Sequence, residues 1–399
     1  MARDPSPCPA LELLVDAELY TPEPMGRRHV LVGGERILWI GATLPQLPAD
    51  LGVRTVNVGG QRVVPGLVDG HAHVSGGGGE AGYASRVPAP RLSDFTRAGV
   101  TSVVGLLGTD DTVRSPAEVL AHARALEAEG LSAFMWTGGY HLPPRTLLGS
   151  VREDMFAIDL VIGVGELALS DHRSSQPNVD ELLRIAADVH VGGLMTGKAG
   201  VLHLHMGDGE RGLELVFAAL DLCELPARVF HPTHVNRRRA LFDEAIELAG
   251  RGATIDVTAF PAGDDGDGLG AVEAVEAFVR TGVDPERLTV SSDGGGCLPR
   301  FDSQGRAIGF GVGTPSTLAA TLAALVARGL PLEQALLPFT RNPARHLRLD
   351  RKGEIRVGMD ADLLVLDTRG LPRDVMARGV WHVRDGRAVV RGTFEDPIP

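Results

Sequence analysis

Eight short apolar runs divide the middle of the chain, and none alternates strictly between apolar and polar positions. They are GLVDGHAH (66–73), VTSVVGLL (100–107), LSAFMWTGG (131–139), VIGVGELALSD (161–171), VLHLHMG (201–207), RVFHPTHV (228–235), ATIDVTAF (253–260) and RLTVSSDG (287–294). Runs of this kind read as strands buried on both faces. Amphipathic stretches at 116–129, 179–189, 211–222 and 238–251 fall between them and read as helices. Strand and helix in alternation, eight times over, predict an α/β fold, a closed (β/α)8 TIM barrel. An open doubly wound sheet is the weaker alternative, because no G-x-G-x-x-G follows the first strand.

The two ends have a different texture. LELLVDAELY, HVLVGG and RILWIG near the start, with Gly33-Gly34 as a turn, read as β-strands. So do ADLLVLD, WHVRDG and AVVRGTF near the finish. The expected organisation is a small β-sandwich domain made from residues 1–62 and 349–399, with the barrel over 63–348.

Composition narrows the function classes. Of 399 residues, 44% are hydrophobic and 23% charged, as in an ordinary globular chain. The net charge of −12 argues against nucleic acid, which calls for clustered Lys and Arg. Cys8, Cys223 and Cys297 have neither disulfide nor metal spacing, which fits a reducing compartment. No basic segment followed by an apolar one opens the chain, and no apolar run reaches the roughly 18 residues of a membrane helix. The expectation is a soluble cytoplasmic protein with no membrane partner.

The chemistry sits at the ends of the predicted strands. The first ends in His71-Ala72-His73, the fifth in His203-Leu204-His205; the sixth carries His231 and His234, and the eighth ends in Asp293. In a (β/α)8 barrel this is the catalytic rim. Side chains alternate along a strand, so His71 and His73 share a face and can grip one cation. More imidazoles from the fifth and sixth strands and a carboxylate from the eighth suit Zn²⁺. His203 and His231 read as supporting or packing residues instead.

PGLVDGHAH, the later histidines, SSDG and the closing KGEIRVGMDADLLVLD resemble the amidohydrolase superfamily. HVSGGGGEAG, AGVTSVVGLLGTD, TGGYH, SDHRS, HMGD and PTHVNR are similar, more narrowly, to its bacterial isoaspartyl dipeptidases. This resemblance runs from about residue 30 to 396. It implies a homo-oligomeric enzyme that splits the isopeptide bond of β-aspartyl dipeptides with a metal-activated hydroxide. It implies that His71, His73, His205 and His234 hold two zinc ions, and that Asp293 binds metal and shuttles protons. Glu80, beside Gly78 and Gly79, would take the substrate ammonium, and Tyr140 would polarise the scissile carbonyl. Arg173 and Arg237 would hold carboxylates, and Thr109 would line the pocket. Charge counting agrees: such a dipeptide has one ammonium and two carboxylates, to be met by one carboxylate and two guanidiniums.

Two positions depart from that family. It places a carboxylated lysine at the end of the fourth strand to bridge the metals. Here the position is Glu166 or, with the register moved by one, Gly165. Glutamate is shorter by roughly 3–4 Å, and metal–oxygen bonds tolerate only about ±0.2 Å. Either the backbone bulges inward at Gly165, or one metal site is weak or empty, or Glu166 is no ligand and the enzyme is impaired. The first leaves Glu166 a ligand. The second departure is Cys297, where the family has a serine that touches substrate. Together they keep open an amidohydrolase acting on an N-acyl amino acid or a cyclic amide, and a catalytically impaired metal- or ligand-binding protein.

Overall fold

The computed structural model describes residues 11–260, 267–301 and 307–395; Cys8 and the opening segment lie outside them. Eight strands follow the predicted order. We label them β1 (Leu67–Ala72), β2 (Val100–Gly105), β3 (Ser132–Thr137), β4 (Val161–Leu169), β5 (Val201–Met206), β6 (Phe230–Thr233), β7 (Ile255–Thr258) and β8 (Leu288–Ser291). β1 to β6 form a parallel sheet in chain order, and β7 pairs in parallel with β8. Polar groups carry the ring across the two remaining seams. Thr258 N donates to Asn236 Oδ1 (2.9 Å) and Asn236 Nδ2 to Thr258 O (3.1 Å). Asp293 N donates to His71 O (3.1 Å) and His73 N to Gly294 O (2.8 Å). The result is a TIM barrel.

Every residue of β1, β4 and β5 is buried, which is why their sequences do not alternate. The strands pack on the helices, with Val103 of β2, Leu202 of β5 and Phe242 of helix Arg239–Gly250 in one large cluster. Val68, Val104, Trp136 and Val201 form a separate cluster with Leu347. Helix Pro116–Ala128 is capped by the Ser115 hydroxyl, and helix Val179–Thr196 by a reciprocal Asn178/Glu181 box. The second helix runs seven residues past the stretch read from the sequence. Gly192 and Gly193 resemble helix breakers but are contact points: a Cβ at 193 would meet Gly200 Cα at 2.5 Å.

The terminal segments share one nine-stranded sheet around their own core of Leu14, Leu19, Val30, Ile37, Val63, Leu363 and Trp381. Arg62–Pro65 joins them, parallel to Leu11–Tyr20 and antiparallel to Leu363–Leu366. The turn after Pro24–Gly33 uses Gly34 and Glu35, one residue later than expected. AVVRGTF contributes only its first residue to a strand, Arg387–Ala388, while Pro372–Ala377 is a strand the pattern did not announce. A hairpin of Cys297–Phe301 and Ala307–Val312 follows β8. No helix among the described residues is long and apolar enough to cross a membrane.

Candidate metal centre

His71 and His73 leave β1 on one side, as the two-residue period requires. Asp293 stands between them, its Oδ1 3.5 Å from His71 Nε2 and 3.2 Å from His73 Nε2. Glu166 Oε2 lies 3.2 Å from His205 Nδ1, 3.5 Å from His234 Nε2 and 3.7 Å from His71 Nε2; Oε1 lies 3.7 Å from His73 Nε2. One carboxylate from β4 therefore faces all four imidazoles. His71, His73 and Asp293 form one group whose ligand atoms lie within 4.8 Å of one another, and His71, Glu166 and His234 form another. His234 (φ 60°) and Asp293 (φ 52°) hold left-handed backbone conformations that non-glycine residues seldom adopt, a feature common at functional sites.

The donor set fits a divalent cation. His71 Nε2 and Asp293 Oδ1 are buried and have no hydrogen-bond partner among the described residues. Burying a polar atom without a partner costs about 1–3 kcal/mol, and two that converge from different strands suit a shared cation between them. Nitrogen and carboxylate donors together suit zinc.

Glu166 reaches the centre because β4 bulges. Val164 pairs with Leu202 and Leu167 with Leu204, so Gly165 and Glu166 together face the single residue His203. The extra residue pushes the strand inward. At Gly165 (φ 155°) a Cβ would lie 2.6 Å from His203 O and 2.7 Å from His203 Cβ, so only glycine fits. The strand bulges inward at Gly165, one of the outcomes the sequence left open, and it is Glu166 rather than Gly165 that faces the imidazoles.

The charges are mutually supported. Burial penalises the Glu166 carboxylate, but His71 and His205 outweigh it and hold its pKa well below 4.5. Burial is likewise overcome at Asp293, whose carboxyl is held low by the neighbouring His71 and His73 imidazoles. His71 is pushed up to about 9: desolvation opposes this, and the Glu166 and Asp293 carboxylates prevail. His234 falls to about 3, chiefly through burial.

Above the cluster is a cavity lined also by Gly78, Glu80, Thr109, Tyr140, Arg173, Arg237 and Cys297. Gly78 is crowded by Ser85 O, 2.3 Å from where a Cβ would sit, and Gly79 (φ 110°) turns the chain before Glu80. Glu80 Oε1 accepts from Thr109 Oγ1 (3.1 Å) and Arg173 Nη1 (3.3 Å), while its Oε2 is buried with no hydrogen-bond partner among the described residues. Arg237 Nε lies 3.8 Å from Asp208 and donates no hydrogen bond among the described residues. The Tyr140 hydroxyl is 2.7 Å from His205 Nδ1, and burial drives its pKa well above 10. The Cys297 thiol is raised to about 12, first by burial and then by the Glu80 and Asp293 charges.

Sequence reasoning gave Asp171 no role. Arg173 clamps it by Nη2→Oδ2 (2.7 Å) and Nε→Oδ1 (3.0 Å), and Oδ2 is also 3.1 Å from His205 Nε2. The signal was the SDHRS motif, which sets the two residues at a spacing of two. His203 lies behind His71, and His231 behind His203.

Residues 62–390 match the amidohydrolase family, and the chain belongs to it. A solved β-aspartyl dipeptidase from Fervidobacterium islandicum AW-1, in complex with β-Asp-Leu, is 39% identical with a TM-score of 0.89, covering 96% of this chain and 99% of that one. An imidazolonepropionase of Micrococcus luteus is 27% identical, with 94% of this chain and 98% of that protein covered. A deacetylase of Agrobacterium fabrum is 25% identical, over 85% and 78% respectively.

Proposed function

We propose that the protein is a zinc-dependent hydrolase that cleaves the isopeptide bond of β-aspartyl dipeptides. One observation carries this reading: beyond the candidate metal ligands, the charged groups lining the cavity are one carboxylate, Glu80, and two guanidiniums, Arg173 and Arg237. That is the complement of a substrate with one ammonium and two carboxylates. The partnerless Glu80 Oε2 suits the ammonium, and guanidinium forks suit carboxylates. The likeness to the Fervidobacterium dipeptidase supports the same substrate class.

His71, His73, His205, His234, Glu166 and Asp293 would hold the zinc. Zinc bound there supplies Lewis acidity, which brings the pKa of a water toward 7. Tyr140, neutral because its pKa is raised, donates a hydrogen bond to the amide carbonyl oxygen as negative charge develops on it. Asp293 accepts the proton of the attacking water and returns it to the leaving amine. Thr109 and Asp171 position Glu80 and Arg173 around the substrate.

The activities named for the two curated relatives give the competing reading, hydrolysis of a cyclic or N-acyl amide. A substrate panel separates them. The zinc-loaded protein should turn over β-Asp-Leu far faster than α-Asp-Leu, N-acetyl amino acids or a cyclic amide. Preference for any of the others, or turnover of none, contradicts the proposal.

A further inference from the structure

Behind the cluster, a file of single hydrogen bonds crosses the barrel interior. His71 Nδ1 is 2.8 Å from His203 Nε2, and His203 Nδ1 is 3.0 Å from His231 Nδ1. His231 Nε2 is 3.2 Å from Thr289 Oγ1, which donates to Asp256 Oδ1 at 2.6 Å. The other carboxylate oxygen of Asp256 accepts from the hydroxyls of Thr233 and Ser291. All these groups are buried. Trp136 stacks on the His203 ring (4.9 Å, 10°) and His346 packs on His231 (4.3 Å), which holds the rings in place.

The direction of this file follows from proton counting. A carboxylate has no proton to give, so Thr289 donates to Asp256. Its only hydrogen is then used, and it must accept from His231 Nε2–H. Among the described residues neither His231 nor His203 has a carboxylate within hydrogen-bond reach to hold a second proton, so each ring carries one. Hence His231 Nδ1 accepts from His203 Nδ1–H, and His203 Nε2 accepts from His71 Nδ1–H. Nε2 of His71 is thereby the nitrogen left for the cation site, free to give up its proton when a cation binds. The reverse order would hold a proton on that nitrogen and block it.

We propose that Asp256 and Thr289 are positioning residues that act through His231 and His203 to fix the tautomer of His71 and so strengthen its hold on zinc. No group in the file changes protonation during turnover. Partners that hydrogen-bond a ligating imidazole typically influence metal affinity about 10–100-fold; here the influence is carried over three further bonds. The inference rests on His71 being a metal ligand, which belongs to the proposed function.

The test uses the full chain with ¹⁵N-labelled histidine. Two-bond ¹⁵N–¹H spectra should show His203 protonated on Nδ1 and His231 on Nε2, in the zinc-free as well as the zinc-loaded protein. Thr289→Val, close in shape, removes the hydroxyl; it should mix the tautomers and weaken zinc binding about tenfold in chelator competition. Thr289→Ser restores the hydroxyl and should return both readings to wild type. His231 protonated on Nδ1 in the wild type overturns the proposal, and so does Thr289→Val binding zinc as tightly as the wild type. If Thr289→Val does not fold, the wild-type spectrum and the serine variant still decide. Zinc content unaffected by His71→Ala would instead defeat the metal reading, leaving the tautomers to be read separately on the zinc-free protein.

Discussion

Gly165 touches the backbone of His203 so closely that a Cβ would stand 2.6 Å from the His203 carbonyl oxygen. That contact is what lets β4 carry one residue more than β5 and turn Glu166 inward. Gly165→Ala should therefore do two things. Overpacking of this kind costs about 1–3 kcal/mol, visible as a lower unfolding midpoint. Glu166 should also be drawn away from the imidazoles, lowering zinc content. An alanine variant with wild-type stability and metal content would mean that the bulge does not depend on glycine.

Asp293 faces both His71 and His73 and is the only carboxylate that β8 brings to the centre. Asp293→Asn keeps the shape and removes the charge. General acid–base groups contribute roughly 10²–10⁴-fold, so kcat for β-Asp-Leu should fall by that order while the melting profile stays near wild type. Full activity in the variant would remove Asp293 from the mechanism.

Cys297 lines the cavity, but its thiol pKa is raised to about 12. A raised thiol pKa keeps the group protonated at neutral and mildly alkaline pH, and thiolate accumulates only as pH nears 12. Iodoacetamide at pH 8 should leave Cys297 unmodified in the native protein and label it readily after denaturation, as followed by peptide mass spectrometry. Rapid native labelling at pH 8 would show a thiolate and reopen a nucleophilic role.

Much of the fold was legible because burial on both faces leaves a plain mark. The barrel strands are apolar without alternation, and each begins within two residues of the expected position. The His-x-His geometry was legible for the same reason: strand period alone puts both rings on one side. The residue type at 166 was visible but its reach was not, since a bulge is a relation between two strands. The hairpin after β8 was hidden by the run of glycines before Cys297 and by Pro299, which removes a strand donor. Pro372–Ala377 opens with proline and carries two charges, which masked it in the same way. The file from His71 to Asp256 joins residues of β1, β5, β6, β7 and β8, and these become neighbours only once the barrel closes.

Glu166 facing all four imidazoles is the centre of the account, and metal counting addresses it directly. The wild type, purified without chelator and measured by plasma mass spectrometry, should hold two zinc ions per chain. Glu166→Ala should hold one at most and lose hydrolysis of β-Asp-Leu. Two zinc ions retained in both proteins would take Glu166 out of the metal centre and contradict the account.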